Sequence, residues 1–226
     1  MNLLQRLVWC GVASGIFAAT VAGQHAAGEI SVARTSANQM AGHFEAIGAL
    51  PIPRSVFPGI AGFASGSIGF ESIPFDDETE GLFVLDPASI ISAELVSVSP
   101  AAGVQVYDGL LPLTVGSSMQ FGSPIFDYHP IFNIHAPGAV HGDVFELRFV
   151  FRDASGRYTP SDEMVVLLTP ECIADYNASD DVSVQDIFDF LSDYFVSVAR
   201  ADVNASGSVT VQDVFDFLTL YFQSCD

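Results

Sequence analysis

The chain has 226 residues, half of them hydrophobic, with 27 acidic and seven basic side chains, all seven of them arginine. A net charge of −20 repels phosphate backbones and anionic headgroups. It therefore argues against nucleic acid and anionic membrane surfaces as partners, and it favours cations.

Residues 1–6 carry one Arg, and residues 7–21 form a continuous apolar and small-residue run. Val21-Ala22-Gly23 supplies small residues for cleavage before Gln24. This predicts a secretory signal over 1–23 and an exported protein, secreted or attached at the cell surface. The run is short for a span and no stop-transfer charge follows it, so no membrane insertion is expected once the signal is removed. Cys10 follows Trp9 inside the run, which does not suit a lipidation site. Its removal leaves Cys172 and Cys225, an even pair in an exported chain, expected to form a disulfide.

Residues 24–41 are small and polar, and are read as a flexible segment or a first strand. From 42 to 169 the pattern is β. Phe145, Leu147, Phe149 and Phe151 alternate with Glu146, Arg148 and Val150, the period of a strand with one buried face. Asp153-Ala154-Ser155-Gly156 is turn chemistry. Further apolar runs at 90–98, 104–107, 111–115, 131–134 and 164–168 are separated by Gly, Pro, Ser and Asp. Short strands at this spacing predict an antiparallel β-sandwich.

At residue 170 helical periodicity begins, and with it an internal repeat. Residues 175–191 align with 202–218 at a period of 27, mostly identically, which implies two copies of one supersecondary unit. Oxygen-bearing side chains fall at loop positions one, three and five: Asp175, Asn177 and Ser179, then Asp202, Asn204 and Ser206. Asp181 and Ser208 at position seven offer backbone carbonyls, and Asp186 and Asp213 stand at position twelve. Calcium prefers six to eight hard oxygens gathered by a loop of this spacing, so two calcium ions are expected. Gly207 suits the turn at position six, where the first loop has Asp180; the first loop should be the more strained. Each loop leads into an amphipathic helix, with Val184, Ile187, Phe188, Leu191 and Phe195 on one face and Val211, Val214, Phe215, Leu218 and Phe222 repeating them.

These paired loops, each with a single following helix, resemble dockerins. With Cys172 before the first repeat and Cys225 after the second, residues 170–226 are similar to the GC-type dockerin-like anchoring domains of exported planctomycete proteins. The resemblance implies calcium-stabilised folding and docking on a cohesin-like or other surface receptor. Ser at position five and the absence of basic residues on the helices depart from cellulosomal dockerins.

Other candidates carry less. His129, His135 and His141 are spaced by six, but Pro130, Pro137 and Gly138 interrupt them, which favours scattered histidines over one metal site. The acidic run 76–80 reads as a solvated loop or a further calcium site. Glu45 and Glu71 can be posed as a glycosidase pair, with nothing to fix their separation. Tyr107, Phe126, Tyr128 and Tyr158 could stack on carbohydrate, though aromatics in strands more often serve the core. No serine elbow, phosphate loop or zinc motif is present. The expectation is a β-sandwich followed by a dockerin-like calcium module, non-catalytic, with a carbohydrate-binding sandwich or a small polysaccharide hydrolase as alternatives.

Overall fold

Alternation of apolar and polar residues sets the strands of this protein. The computed structural model describes residues 29–44, 48–179, 181–204, 206–223 and 225. The expected signal at 1–23, Glu45 and Asp180 lie outside them. The strands are β1 (Glu29–Arg34), β2 (Met40–His43), β3 (Leu50–Ile52), β4 (Phe63–Ser65), β5 (Gly69–Ser72), β6 (Ile91–Ser99) and β7 (Val104–Asp108). They continue with β8 (Leu111–Pro112), β9 (Ser118–Gly122), β10 (Asp127–Tyr128), β11 (Ile131–Ile134), β12 (Phe145–Asp153) and β13 (Met164–Pro170). Two helices close the described chain, α1 (Val184–Phe195) and α2 (Val211–Gln223). The protein is mainly β with two C-terminal helices.

Three sheets form, ordered β10-β5-β1-β2, β4-β11-β7-β8 and β3-β13-β12-β6-β9. Most pairings are antiparallel, but β1 pairs parallel with β5 and β13 pairs parallel with β3, so two of the sheets are mixed and the β4-β11-β7-β8 sheet is purely antiparallel. The segment 24–41, read as flexible or as a first strand, contains β1 in the interior of its sheet, with Ile30 and Val32 fully buried. Its apolar positions alternate as a strand requires. Conversely, the run 111–115 yields only Leu111–Pro112 as strand, and Leu111 and Val115 are exposed; Pro112 has no amide to extend the ladder.

One apolar core draws on all three sheets, through Ile30 and Phe70, Val106 and Phe132, and Leu95, Phe149 and Val166. Phe70 is its hub. The rings of Phe121, Phe132, Phe149 and Phe151 lie 5.5, 6.4, 5.3 and 5.8 Å from it. Side chains alternate along a strand, so anchoring Phe70 inward turns Gly69 and Glu71 to the opposite face.

Beyond β13, Glu171 N–H donates to Ile52 O at 2.9 Å, and Cys172 forms a disulfide with Cys225, Cα atoms 5.8 Å apart. A second core gathers Phe190, Ala201, Val203 and Phe217, and Ile173 touches both cores. The helix faces differ from the expectation. Phe190 and Phe217 are buried, while Val184, Phe188 and Phe195, and Val211, Phe215 and Phe222, are exposed. Each helix is turned about a quarter of a revolution from the face its apolar spacing suggests. Aromatics spread over about half the circumference of each helix, and the second core buries Phe190 and Phe217 with Tyr194 and Tyr221 packed at its edge. No described helix is long and apolar enough to cross a membrane.

Candidate metal centre

The two loops share a set of hydrogen bonds at equivalent residues. At position one, Asp175 Oδ1 accepts Ser179 N–H at 2.9 Å, and Asp202 Oδ1 accepts Ser206 N–H at 2.9 Å. At position twelve, Asp186 accepts Asn177 N–H at 3.1 Å and Ser183 N–H at 2.7 Å. Asp213 accepts Asn204 N–H at 3.3 Å and Thr210 N–H at 2.7 Å. Both position-twelve carboxylates are fully buried. Burial alone would raise their pKa values, but the backbone donors of Ser183 and Asn177, and of Thr210 and Asn204, hold both below the ordinary aspartate value. Ser183 and Asp186 also form a capping box that starts α1.

The asparagines are oriented from outside the loop. Asn177 Nδ2 donates to Asp189 at 3.0 Å and Asn204 Nδ2 donates to Asp216 at 2.8 Å, while Gln185 and Gln212 hold those aspartates at 2.9 Å each. With the amide nitrogen engaged, the asparagine oxygen is left for the loop. In the second loop Asn204 Oδ1 and Asp202 Oδ1 both accept Ser206 N–H, at 3.0 and 2.9 Å. Ser179 Oγ donates to Asp181 O at 3.3 Å and Ser206 Oγ donates to Ser208 O at 3.1 Å. These bonds tie Asp202, Asn204, Ser206 and the Ser208 carbonyl together in the second loop, and Asp175, Ser179 and the Asp181 carbonyl in the first. Asp186 accepts a third bond from Ser183 Oγ at 3.2 Å and Asp213 one from Thr210 Oγ1 at 3.0 Å, so the loops' own donors take up most of the roughly four lone-pair sites of each carboxylate. The donor set fits a hard cation that takes oxygen alone. Gly207 takes φ +88 at its turn, and Ala178 takes φ +54 in the first loop, where a residue with a Cβ is strained.

The three histidines go to three places. His141 Nδ1 lies 3.0 Å from Pro170 O, His135 is exposed at the end of β11, and His129 joins a separate cluster. Its Nε2 lies 2.8 Å from Asp127 Oδ1 and 4.0 Å from Glu29 Oε1, and its Nδ1 lies 3.1 Å from Gly66 O. One ligand atom each from Glu29, Asp127 and His129 falls within 4.8 Å of the other two. Glu29 also meets the Glu71 carboxyl. That contact, with burial and the charges of Glu71 and Asp127, raises the Glu29 pKa against the lowering effect of His129. Sequence reading missed this set because strand order, not spacing, assembles it.

The acidic run 76–80 is a self-satisfied turn. Asp77 accepts Thr79 N–H at 2.9 Å and Glu80 N–H at 3.2 Å, and Asp76 accepts Val84 N–H at 2.8 Å. Of the aromatics posed for carbohydrate, Tyr158 is buried with its hydroxyl accepting Asp86 N–H at 2.7 Å. Phe126 and Tyr128 pack on Phe121, with centroids 4.5 and 5.2 Å away. Comparison of this chain with protein-family models, with curated proteins and with solved structures gives no match.

Proposed function

We propose that this is an exported, non-catalytic protein whose residues 170–226 form a dockerin-like calcium module, attaching residues 42–169 to a surface receptor. The observation that carries the reading is the duplication of the loop. Two segments 27 residues apart in the sequence make the same bonds from positions one, three, five and twelve. Helix capping alone does not require oxygen at positions three and five. When bound, calcium supplies the positive charge that holds these oxygens together. The chain's own contribution is to fix the carboxylates through backbone donors and the asparagine oxygens through Asp189 and Asp216.

The surface offered to the receptor is also duplicated. Val184, Phe188 and Phe195 form one exposed apolar stripe, and Val211, Phe215 and Phe222 form its repeat. Stripes of this kind on a strongly acidic chain suit a protein partner with an apolar, non-acidic docking face. The packing of Phe126, Tyr128 and Tyr158 leaves the carbohydrate alternative without a specific observation in its favour.

The test is capture of envelope proteins on the immobilised full chain. The reading predicts a partner retained in calcium, released by chelator, and lost when Phe188→Ser and Phe215→Ser are combined. Retention unaffected by chelator and by both substitutions contradicts it.

A further inference from the structure

We propose a second metal centre, built from Glu29, Asp127 and His129 on the outer face of the β10-β5-β1 sheet, which takes a divalent cation of the zinc class. It is independent of the calcium loops. Registry places its members. Glu29 lies beside Gly69 across the parallel β1/β5 pair, and Asp127 lies opposite Glu71 across β5/β10. Strand alternation puts Glu29, Gly69, Glu71 and Asp127 on one face, while Ile30, Phe70 and Tyr128 turn to the core side. His129, next after β10, reaches back over β5 because Gly69 has no side chain. A Cβ at Gly69 would stand 2.6–2.9 Å from the imidazole ring.

The orientation of the imidazole is the observation that points to a ligand. A carbonyl oxygen only accepts, so Nδ1, 3.1 Å from Gly66 O, carries the proton. In the neutral ring Nε2 then presents a lone pair to Asp127 Oδ1 at 2.8 Å. A metal ion bound to both atoms would take the place of the ring proton that otherwise joins them. A backbone carbonyl holding the far nitrogen is the outer contact by which metal-bound imidazoles are oriented. Nitrogen with carboxylate oxygen favours zinc or its neighbours, whereas calcium takes oxygen alone. The loops and the sheet therefore differ in the ion they select. His129 and Asp127 are solvent-accessible, so the site is open to entry.

The experiment is zinc titration of the full chain in excess calcium, by competition with a chromophoric chelator. Wild type should bind one zinc ion per chain. His129→Ala should weaken binding at least about tenfold. Gly69→Ala, which pushes the imidazole off the strand, should weaken it as well without lowering the melting temperature by more than a few degrees. His141→Ala should change nothing. Equal zinc binding by wild type and His129→Ala overturns the proposal and leaves His129 and Asp127 as a proton-filled ion pair. Zinc binding lost with Asp175→Ala and Asp202→Ala instead also overturns it, by placing the ion in the loops. Because zinc is read in excess calcium, a failure of the calcium loops and a failure of this site give different results.

Discussion

Phe190 and Phe217 stack face to face, ring centroids 4.2 Å apart and planes 10° from parallel. They are equivalent residues of the two repeats, and Tyr176 meets both edge-on at 5.5 and 5.7 Å. The repeats thus bury each other through one side chain each. Phe190→Ala or Phe217→Ala should therefore destabilise the C-terminal helices by about 3–5 kcal/mol. Phe215→Ser, on the exposed stripe, should change stability by less than about 0.5 kcal/mol. Thermal unfolding followed by helical circular dichroism checks both.

The Cys172–Cys225 bond closes a loop of sequence separation 53 around both repeats. The chain-entropy account gives a loss of about 4 kcal/mol for Cys225→Ser. The second core is small, so the loss should fall on the helices before the sheets. Urea unfolding of the oxidised and reduced chain should show a helical transition that moves and a sheet transition that does not.

Asp153 ties the turn after β12 to the strand beside it. Burial alone would raise its carboxyl, but donors from Ile90, Ser155 and Arg157 hold it down at about 2, against 3.8 for a free aspartate. The folded value is depressed, so the stabilisation is fully present above pH 3.8 and is lost as the pH falls through about 2. Asp153→Asn should lower stability at neutral pH by about 2 kcal/mol. Its penalty should shrink as the pH approaches 2, as urea midpoints at several pH values would show.

Arg54 lies under the second loop. Its guanidinium sits 5.4 Å from the Phe63 ring and borders a cleft of about 650 Å³ shared with Arg200, Asp202 and Val209. Burial works against its charged form, while among the nearby charges that of Glu171 acts on it most strongly, followed by those of Asp202 and Asp213. A fixed cation beside two carboxylates of the proposed calcium loop competes with a bound ion. Arg54→Leu should raise the calcium affinity of the second loop on the order of threefold and leave the first unchanged, as site-resolved titration would show.

What the sequence disclosed follows from how far apart the participants are. The loops were legible because each is one contiguous run, printed twice. Residues 131–134 and the alternation of Phe145 through Phe151 were legible because a strand shows its buried face locally. The Glu29–Asp127–His129 set was not, because a parallel β1/β5 pairing and a returning β10 join residues about a hundred positions apart. Neither was the helix face. Val184, Phe188 and Phe195 are as apolar as the residues that are buried, and only the Phe190–Phe217 stack decides between them.

The most direct test of the central claim is a calorimetric calcium titration of the full chain, with the Asp175→Ala, Asp202→Ala double variant beside it. The account predicts two ions per chain for the wild type, with a rise in helix melting temperature, and neither effect in the variant. No calcium heat in the wild type, or binding that survives the double substitution, would contradict it. The repeats would then be a disulfide-held helical pair whose loop carboxylates serve only the backbone.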